Sequence, residues 1–390
     1  MIINLTKKQA RQFLLVKHGL LGEYKFEGEK GILAFVKQAG CIQFDPIDSC
    51  GRNADLVLLS RIKNYNREML YDLLYQDRKL IDYFDKNLSI FCMDDWPYFL
   101  RNHELYDYMD RYDCRIKLTC EEIKNEIKRR GPLCSNDIHN DKHIIGAWGT
   151  KSSLARAVLE HLYFTGELAI YHKKGTTKYY DCIENCIPKK ILDKADPNKT
   201  LYDFQKWLVL RRIKSVGLLW NKSSDAFLCI NQLKTLVRNR IYEEYILSGK
   251  IVEVRVEGCK EPFYCVQEDL EIIDEVLSKF VYKKRCEFIA PLDNLIWDRK
   301  LIKEIFDYDY KWEIYTPQNQ RKYGYYVLPI LYGDQFIGRI EAVFTKKTNK
   351  LEVKNIWIEQ NIKYTKILDK EIHKRIVKLE KFNQNNVNEL

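Results

Sequence analysis

Glycine and proline are scarce, 17 and 9 in 390 residues, and this leaves little room for long disordered linkers. Only the polar tail "KFNQNNVNEL" reads as a segment that stays unfolded. Nor is there an uninterrupted apolar run of about 18 residues, the length a membrane-spanning helix needs. The start, "MIINLTKKQARQF", lacks an apolar stretch behind a basic one, so secretion is not indicated and a cytoplasmic, nucleoid-associated protein without membrane contact is expected. Metal-ligand spacing is missing too. Twelve cysteines include no CxxC; Cys182 with Cys186 and Cys259 with Cys265 are the nearest pairs, and neither has a second pair or a histidine at ligand spacing. Reduced, mostly buried thiols and no metal site are expected.

What is present is ample apolar material, 46% of the chain, enough for two or three full-sized cores. Lys and Arg outnumber Asp and Glu by 65 to 55, a net charge of +10. Such an excess permits a polyanion partner without demanding one.

The chain repeats itself. "TGELAIYHKKGTTKYYDC" and "SGKIVEVRVEGCKEPFYC" align without a gap at an offset of 83 residues, matching Gly166 with Gly249, Gly175 with Gly258, Tyr180 with Phe263 and Cys182 with Cys265. Each copy reads as a glycine helix end, a strand, a glycine turn and an aromatic strand. Helical spacing precedes both: Leu154, Ala157, Val158, His161 and Leu162 in one, Leu233, Leu236, Ile241 and Tyr245 in the other. Further upstream, Thr119 and Glu122 read as a capping box before Ile123, Ile127 and the Gly131-Pro132 break, while Ser215-Val216-Gly217 marks the matching turn in the second copy. A helix pair followed by a hairpin is a winged helix. Helices at about 6–20, 29–39 and 67–77, then "RKLIDYFDKNLSIFC", suggest a third and more divergent copy. After 275 the chain turns strand-rich, with turns at Gly333-Asp334 and Thr348-Asn349 and a closing helix over about 364–381.

The reading is therefore an α+β chain: winged-helix domains over 1–115, 116–195 and 196–275, then a β-barrel-like domain over 276–390. Tandem winged helices favour duplex DNA, because a helix fits the major groove and a basic hairpin tracks the backbone. His172, Lys173, Lys174 and Lys178 fall at one wing tip, and Lys128, Arg129 and Arg130 at a helix end. Basic residues at such places also suit the helix dipole with no partner at all.

One stretch, "CIQFDPID", raises a chemical question. If it is extended, Gln43 and Asp45 share a face while Ile42 and Phe44 point to the core. Cleaving an N-glycosidic bond builds positive charge on the sugar and needs a placed water. A carboxylate can stabilise that charge and take the water's proton, and an amide can hold water or sugar. A base alkylated on a ring nitrogen is already a cationic leaving group and needs no strong acid. The competing reading is that Asp45 simply starts a turn at Pro46 and Asp48 caps the helix after it.

"CIQFDPID" with "GRNADLVLLSRIKNY", "PLDNLIWDRK", "YTPQNQRKYGYYVLPIL" and "FIGRIEA" resembles the bacterial winged-helix DNA glycosylase superfamily (AlkZ-like), and within it the YcaQ (AlkX) branch. The family signature is Gln, an apolar residue, then Gln or Asp; here it reads Gln43, Phe44, Asp45. The resemblance implies catalysis by Gln43 and Asp45, excision of N-alkylated purines, unhooking of interstrand crosslinks, base excision repair on double-stranded DNA, and no metal or organic cofactor. It also implies three winged helices with a C-terminal barrel. Arg52 and Arg61 match the first block and Arg321 with Tyr323 a later one, as candidate DNA or site-organising contacts beside His172, Lys173 and Lys174. Trp297, Asp298 and Arg299 read as a structural knot. There is one departure: the family's His-Glu pair after the first wing's aromatic is Lys86 and Asn87 here. A crosslinked base cannot swing about 180° into a closed pocket, so an open surface site suits that substrate. A monomer is expected, and the competing class is a winged-helix transcription regulator that releases no base.

Overall fold

The computed structural model describes residues 1–107, 114–139, 142–145, 151–278 and 281–385. They form two compact units, one from Met1–Leu70, Tyr83–Phe91 and Gln205–Asn388, the other chiefly from Tyr71–Asp82 and Cys92–Phe204. The units do not follow the four consecutive domains expected from sequence. The reason is long-range pairing: strand Ile2–Leu5 lies parallel to Ile251–Val256, in register from Ile2↔Glu253 to Leu5↔Val256. The chain's beginning therefore shares a sheet with the second repeat copy, a partnership that no local pattern encodes.

In the smaller unit the helix Cys114–Arg130 buries Ile116, Ile123 and Ile127 and stops at Gly131, whose φ of 83° suits glycine. Thr119 is not its cap. It sits inside the helix, where its hydroxyl donates to the Arg115 carbonyl at 2.8 Å. The helix Leu154–Phe164 is capped by Ser153 and buries the expected face of Leu154, Ala157, Val158, His161 and Leu162. It leads into the antiparallel hairpin of Leu168–Lys174 and Thr177–Cys182.

The larger unit repeats this order with helix Thr235–Leu247 and the hairpin Ile251–Val256 with Phe263–Val266. The matched glycines have the same backbone reason in both copies: Gly166 and Gly249 have φ of 75° and 69°, Gly175 and Gly258 of 60° and 76°. The apolar face of the second helix differs from its sequence reading. Leu233 lies before it and Leu236 is 83% exposed, while Arg238, Ile241, Tyr242 and Tyr245 are buried.

Near the N-terminus, helices Lys7–Lys17 and Gly28–Ala39 are where the periodicity places them. The expected 67–77 helix begins as Arg67–Tyr71 and continues as a π-helical turn over Asp72–Gln76. Strands Leu80–Asp85 and Asn87–Cys92 form the expected hairpin, and Cys41–Gln43 adds to it through Asn87–Cys92, giving a three-stranded sheet.

At the other end, Cys286–Phe288, Val327–Tyr332, Gln335–Thr345 and Lys350–Ile358 make a four-stranded antiparallel meander. Among the described residues its first and last strands do not pair, so the sheet is open and the expected barrel closure is absent. The last helix runs Lys366–Asn385, so the first half of the tail expected to be unfolded is helical; its remainder, 386–390, lies outside the described residues.

The larger unit is pinned across its interior by Arg61 and Asp293, whose Nη2 and Oδ1 are 2.7 Å apart and whose side chains are both 0% exposed. Arg61 also donates to the Val57 carbonyl at 2.8 Å and lies over the Phe35 ring at 4.9 Å. Removing either partner strands a buried charge. Asp293→Asn or Arg61→Ala is expected to lower unfolding stability by about 3–5 kcal/mol in urea denaturation, with little change in the spectrum of the folded state.

Candidate active site

The approach to the motif is set by Gly40, which ends the helix Gly28–Ala39 with a φ of 77°. A Cβ there would meet Arg211 Cγ at 2.9 Å, and the Gly40 carbonyl accepts from Arg211 Nη2 at 2.8 Å, so the position has no room for a side chain. The chain then enters the strand Cys41–Gln43, paired antiparallel with the first hairpin as Cys41↔Phe91, Ile42↔Ile90 and Gln43↔Ser89.

Simple alternation does not hold here. Cys41, Ile42 and Gln43 are all buried, whereas Phe44 is only half-buried and continues the pairing by donating its N–H to the Leu88 carbonyl at 2.9 Å. The strand is too short and too enclosed to have a solvent face, so Phe44 is not the core anchor expected of it. Two side-chain amides fix the strand: Asn53 donates to the Gln43 carbonyl at 2.8 Å and Asn294 to the Cys41 carbonyl at 2.8 Å.

Gln43 turns its amide toward the hairpin end. Lys86 Nζ lies 3.2 Å from Gln43 Oε1. An ammonium or amine facing an amide at this distance donates, so the oxygen is the side held and the Gln43 NH₂ group remains to donate elsewhere. Lys86 is 4% exposed, rests 4.9 Å above the Trp297 ring, and has no carboxylate partner among the described residues. Burial, followed by the nearby Arg212 charge, pulls its pKa down to about 8. Its chain neighbour Asp85 faces Arg211 Nε at 2.7 Å and Arg212 Nη1 at 2.5 Å.

Asp45 lies beyond the strand end and takes the turn-starting role that was open for it. Its Oδ1 accepts the Ile47 N–H at 2.9 Å across Pro46, an Asx turn, while Oδ2 has no partner among the described residues. The carboxyl is half-buried, and burial raises its pKa despite the Ile47 hydrogen bond. The arrangement offers an amide donor and a carboxylate oxygen two residues apart, the pair that water placement and sugar-cation stabilisation require.

Asp48 does not cap the following helix; it faces Arg67 at 3.3 Å and Arg52 at 3.9 Å. Arg52 is half-buried at the start of helix Asn53–Leu59. Arg61 is fully enclosed and has no surface through which to touch DNA, a correction that follows from its pairing with Asp293. In the smaller unit, His172 stacks on Tyr179 at 4.5 Å and Lys174 is exposed over the same ring, but Lys173 turns inward to Asp82 at 3.0 Å. Arg321 donates to the Thr316 carbonyl at 2.8 Å and the Tyr323 N–H to Glu313 at 2.8 Å, so both brace their own loop.

Two site residues escaped the sequence reading in part. Lys86 stood out only as a departure from a pattern, and Trp297 read as structural, whereas the fold brings them together. Asp298 does fit the structural reading: it caps the helix Arg299–Phe306 and accepts from Trp220 Nε1 at 2.7 Å.

The raised pKa of Asp45 has a consequence for stability. Its ionised form is less favoured in the folded chain than in the unfolded one, so the fold is penalised above the unfolded value near 4 and relieved on acidification. Asp45→Asn, which keeps an oxygen for Ile47, is expected to raise the urea midpoint at pH 7 and to give no such gain at pH 3.

Comparison with known proteins places these features in a family context. The family model described as DNA glycosylase AlkZ-like matches residues 36–382. The fold is similar to that of the Streptomyces sahachiroi DNA glycosylase AlkZ, with a TM-score of 0.64 and 12% sequence identity, covering 98% of this chain and 97% of that one.

Proposed function

The chain belongs to the AlkZ-like DNA glycosylase family and is a DNA glycosylase, and we propose that it hydrolyses the N-glycosidic bond of N-alkylated purines and unhooks interstrand crosslinks, acting as a monomer on duplex DNA. The observation that carries this reading is the pairing of a half-buried carboxylate, with one oxygen fixed and one open, and a buried amide whose oxygen is already held. Asp45 Oδ2 accepts the proton of an attacking water and faces the positive charge that develops on the sugar. The Gln43 NH₂ group donates to that water or to a sugar oxygen. The alkylated base leaves as a neutral species, so no strong acid is needed.

The Asp in the third motif position supports the YcaQ-like, crosslink-unhooking branch. Three winged helices form the DNA-binding frame in this reading: the two helix-and-hairpin copies and the hairpin 80–92 that carries Lys86. His172 and Lys174 bind the phosphate backbone, and Arg52 organises the site rim. Replacing either phosphate-binding residue by alanine should weaken duplex binding and flatten its salt dependence.

The test is release of free base. Duplex carrying N7-alkylguanine or a nitrogen-mustard crosslink, incubated with the protein and then heated in alkali, is expected to break at the lesion. Asp45→Asn is expected to slow this by about 10²-fold or more while duplex binding persists. An Asp45→Asn protein that cuts equally well contradicts the assigned role, and a footprint on undamaged sequence without base release would identify a regulator instead.

A further inference from the structure

Lys86 is placed where a nucleophilic amine would sit. Its Nζ touches the amide of Gln43 at 3.2 Å and lies over the Trp297 face at 4.9 Å. Two other enclosed lysines of the larger unit have partners: buried Lys17 is bound by both oxygens of Asp269 at 2.6 and 2.7 Å, and half-buried Lys378 donates to the Tyr24 hydroxyl at 2.6 Å. The carboxylate beside Lys86 in sequence, Asp85, is held by Arg211 and Arg212. The hairpin turn itself is fixed by Asn87, at a φ of 58°, whose N–H donates to Cys229 Sγ at 3.4 Å and whose Oδ1 accepts from it at 3.2 Å. Ser89 Oγ donates to the Lys86 carbonyl at 3.1 Å, so the backbone of Lys86 is anchored from both sides.

We propose that Lys86 gives the enzyme a second activity, cleavage of the DNA strand at the abasic site through a Schiff base. This rests on the reading of Gln43 and Asp45 as the sugar-facing pair. In the step, the neutral Lys86 amine adds to the C1′ aldehyde of the ring-opened abasic sugar, a proton from solvent joins the carbinolamine hydroxyl, and water leaves, forming an iminium. The C2′ proton passes to the Asp45 carboxylate, the electron pair forms the C2′–C3′ double bond, and the C3′–O bond breaks with the 3′ phosphate carrying its electrons away. Water then hydrolyses the imine and returns the free amine. No oxidant, reductant or metal enters.

A buried amine with no paired carboxylate among the described residues suits this, because neutral Lys is the nucleophile. The charges and titratable groups around it are Arg212 from the helix Leu201–Val216, Cys41 from the Gln43 strand, Asp225 and Cys229 from the segment facing the turn, and Asp85 on its own hairpin. Burial and then Arg212 outweigh the others and hold the pKa at about 8. The neutral fraction, and with it imine formation, should fall about tenfold for each pH unit below that value.

The experiment uses the full chain and duplex DNA with a preformed abasic site, with borohydride to reduce the iminium, run beside base release from N7-alkylguanine duplex. Expected are a covalent protein–DNA adduct that maps by mass spectrometry to the Lys86 peptide, a trapping rate that rises through pH 8, and loss of the adduct in Lys86→Met, whose fold is checked by urea unfolding. Peptide mapping of the wild-type adduct stands independently of that variant. Base release without any adduct, or an adduct at another lysine, overturns the inference and leaves the glycosylase reading intact. An adduct at Lys86 without base release upholds the Schiff base at Lys86 and removes the N-alkylated purine reading; neither product overturns both.

Discussion

The site depends on where one buried negative charge goes. Asp85 is fully enclosed, and burial alone would push its carboxyl pKa up, yet Arg212 and Arg211 hold it down at about 2. Taking either arginine away would leave a charge stranded in the interior, at a cost of several kcal/mol by the general behaviour of buried pairs. The pairing ties the end of the first hairpin to the helix Leu201–Val216, and Arg211 extends the tie to the Gly40 carbonyl that introduces the Gln43 strand. With Asp85 engaged, Lys86 next to it has no paired carboxylate among the described residues and settles between an amide and an indole ring.

This separation gives two adjacent residues opposite duties. Asp85 is a structural anion whose proton is never needed near neutral pH, and Lys86 is a cation made reluctant by the same enclosure. Gln43 is held at its amide oxygen by the second, and the first is tied through Arg211 to the Gly40 carbonyl that precedes the Gln43 strand. Asp45 is the freer of the two motif side chains, because the Asx turn uses one oxygen and leaves the other. The motif thus combines a held amide with a carboxylate on a short, turn-braced loop.

Much of this was legible in the sequence where the cause is local. The repeat glycines could be read because each sits at a positive φ that few other residues adopt, and the hairpin 80–92 because its aromatic and β-branched residues are flanked by turn-prone positions. Thr119 misled because a Ser or Thr followed by an acid also occurs inside polar helices, and Leu236 because an apolar residue at helical spacing need not face a core. What had no local signal was the interleaving of the chain's two ends. Strand Ile2–Leu5 meets Ile251–Val256, Arg61 meets Asp293, and Lys86 meets Trp297 only after long loops close. The alternation used to place Gln43 and Asp45 on one face does not hold, since the strand ends at Gln43.

If Lys86 holds Gln43 in its working orientation, the two act as one unit in base excision, and their losses should not multiply. The direct measurement is a double-mutant cycle on single-turnover base release from N7-alkylguanine duplex, with Gln43→Leu, Lys86→Met and the double variant. The double variant is expected to be no slower than the slower single variant, within about threefold. Losses that multiply in full would contradict it, because they would mean that Lys86 and Gln43 reach the transition state independently.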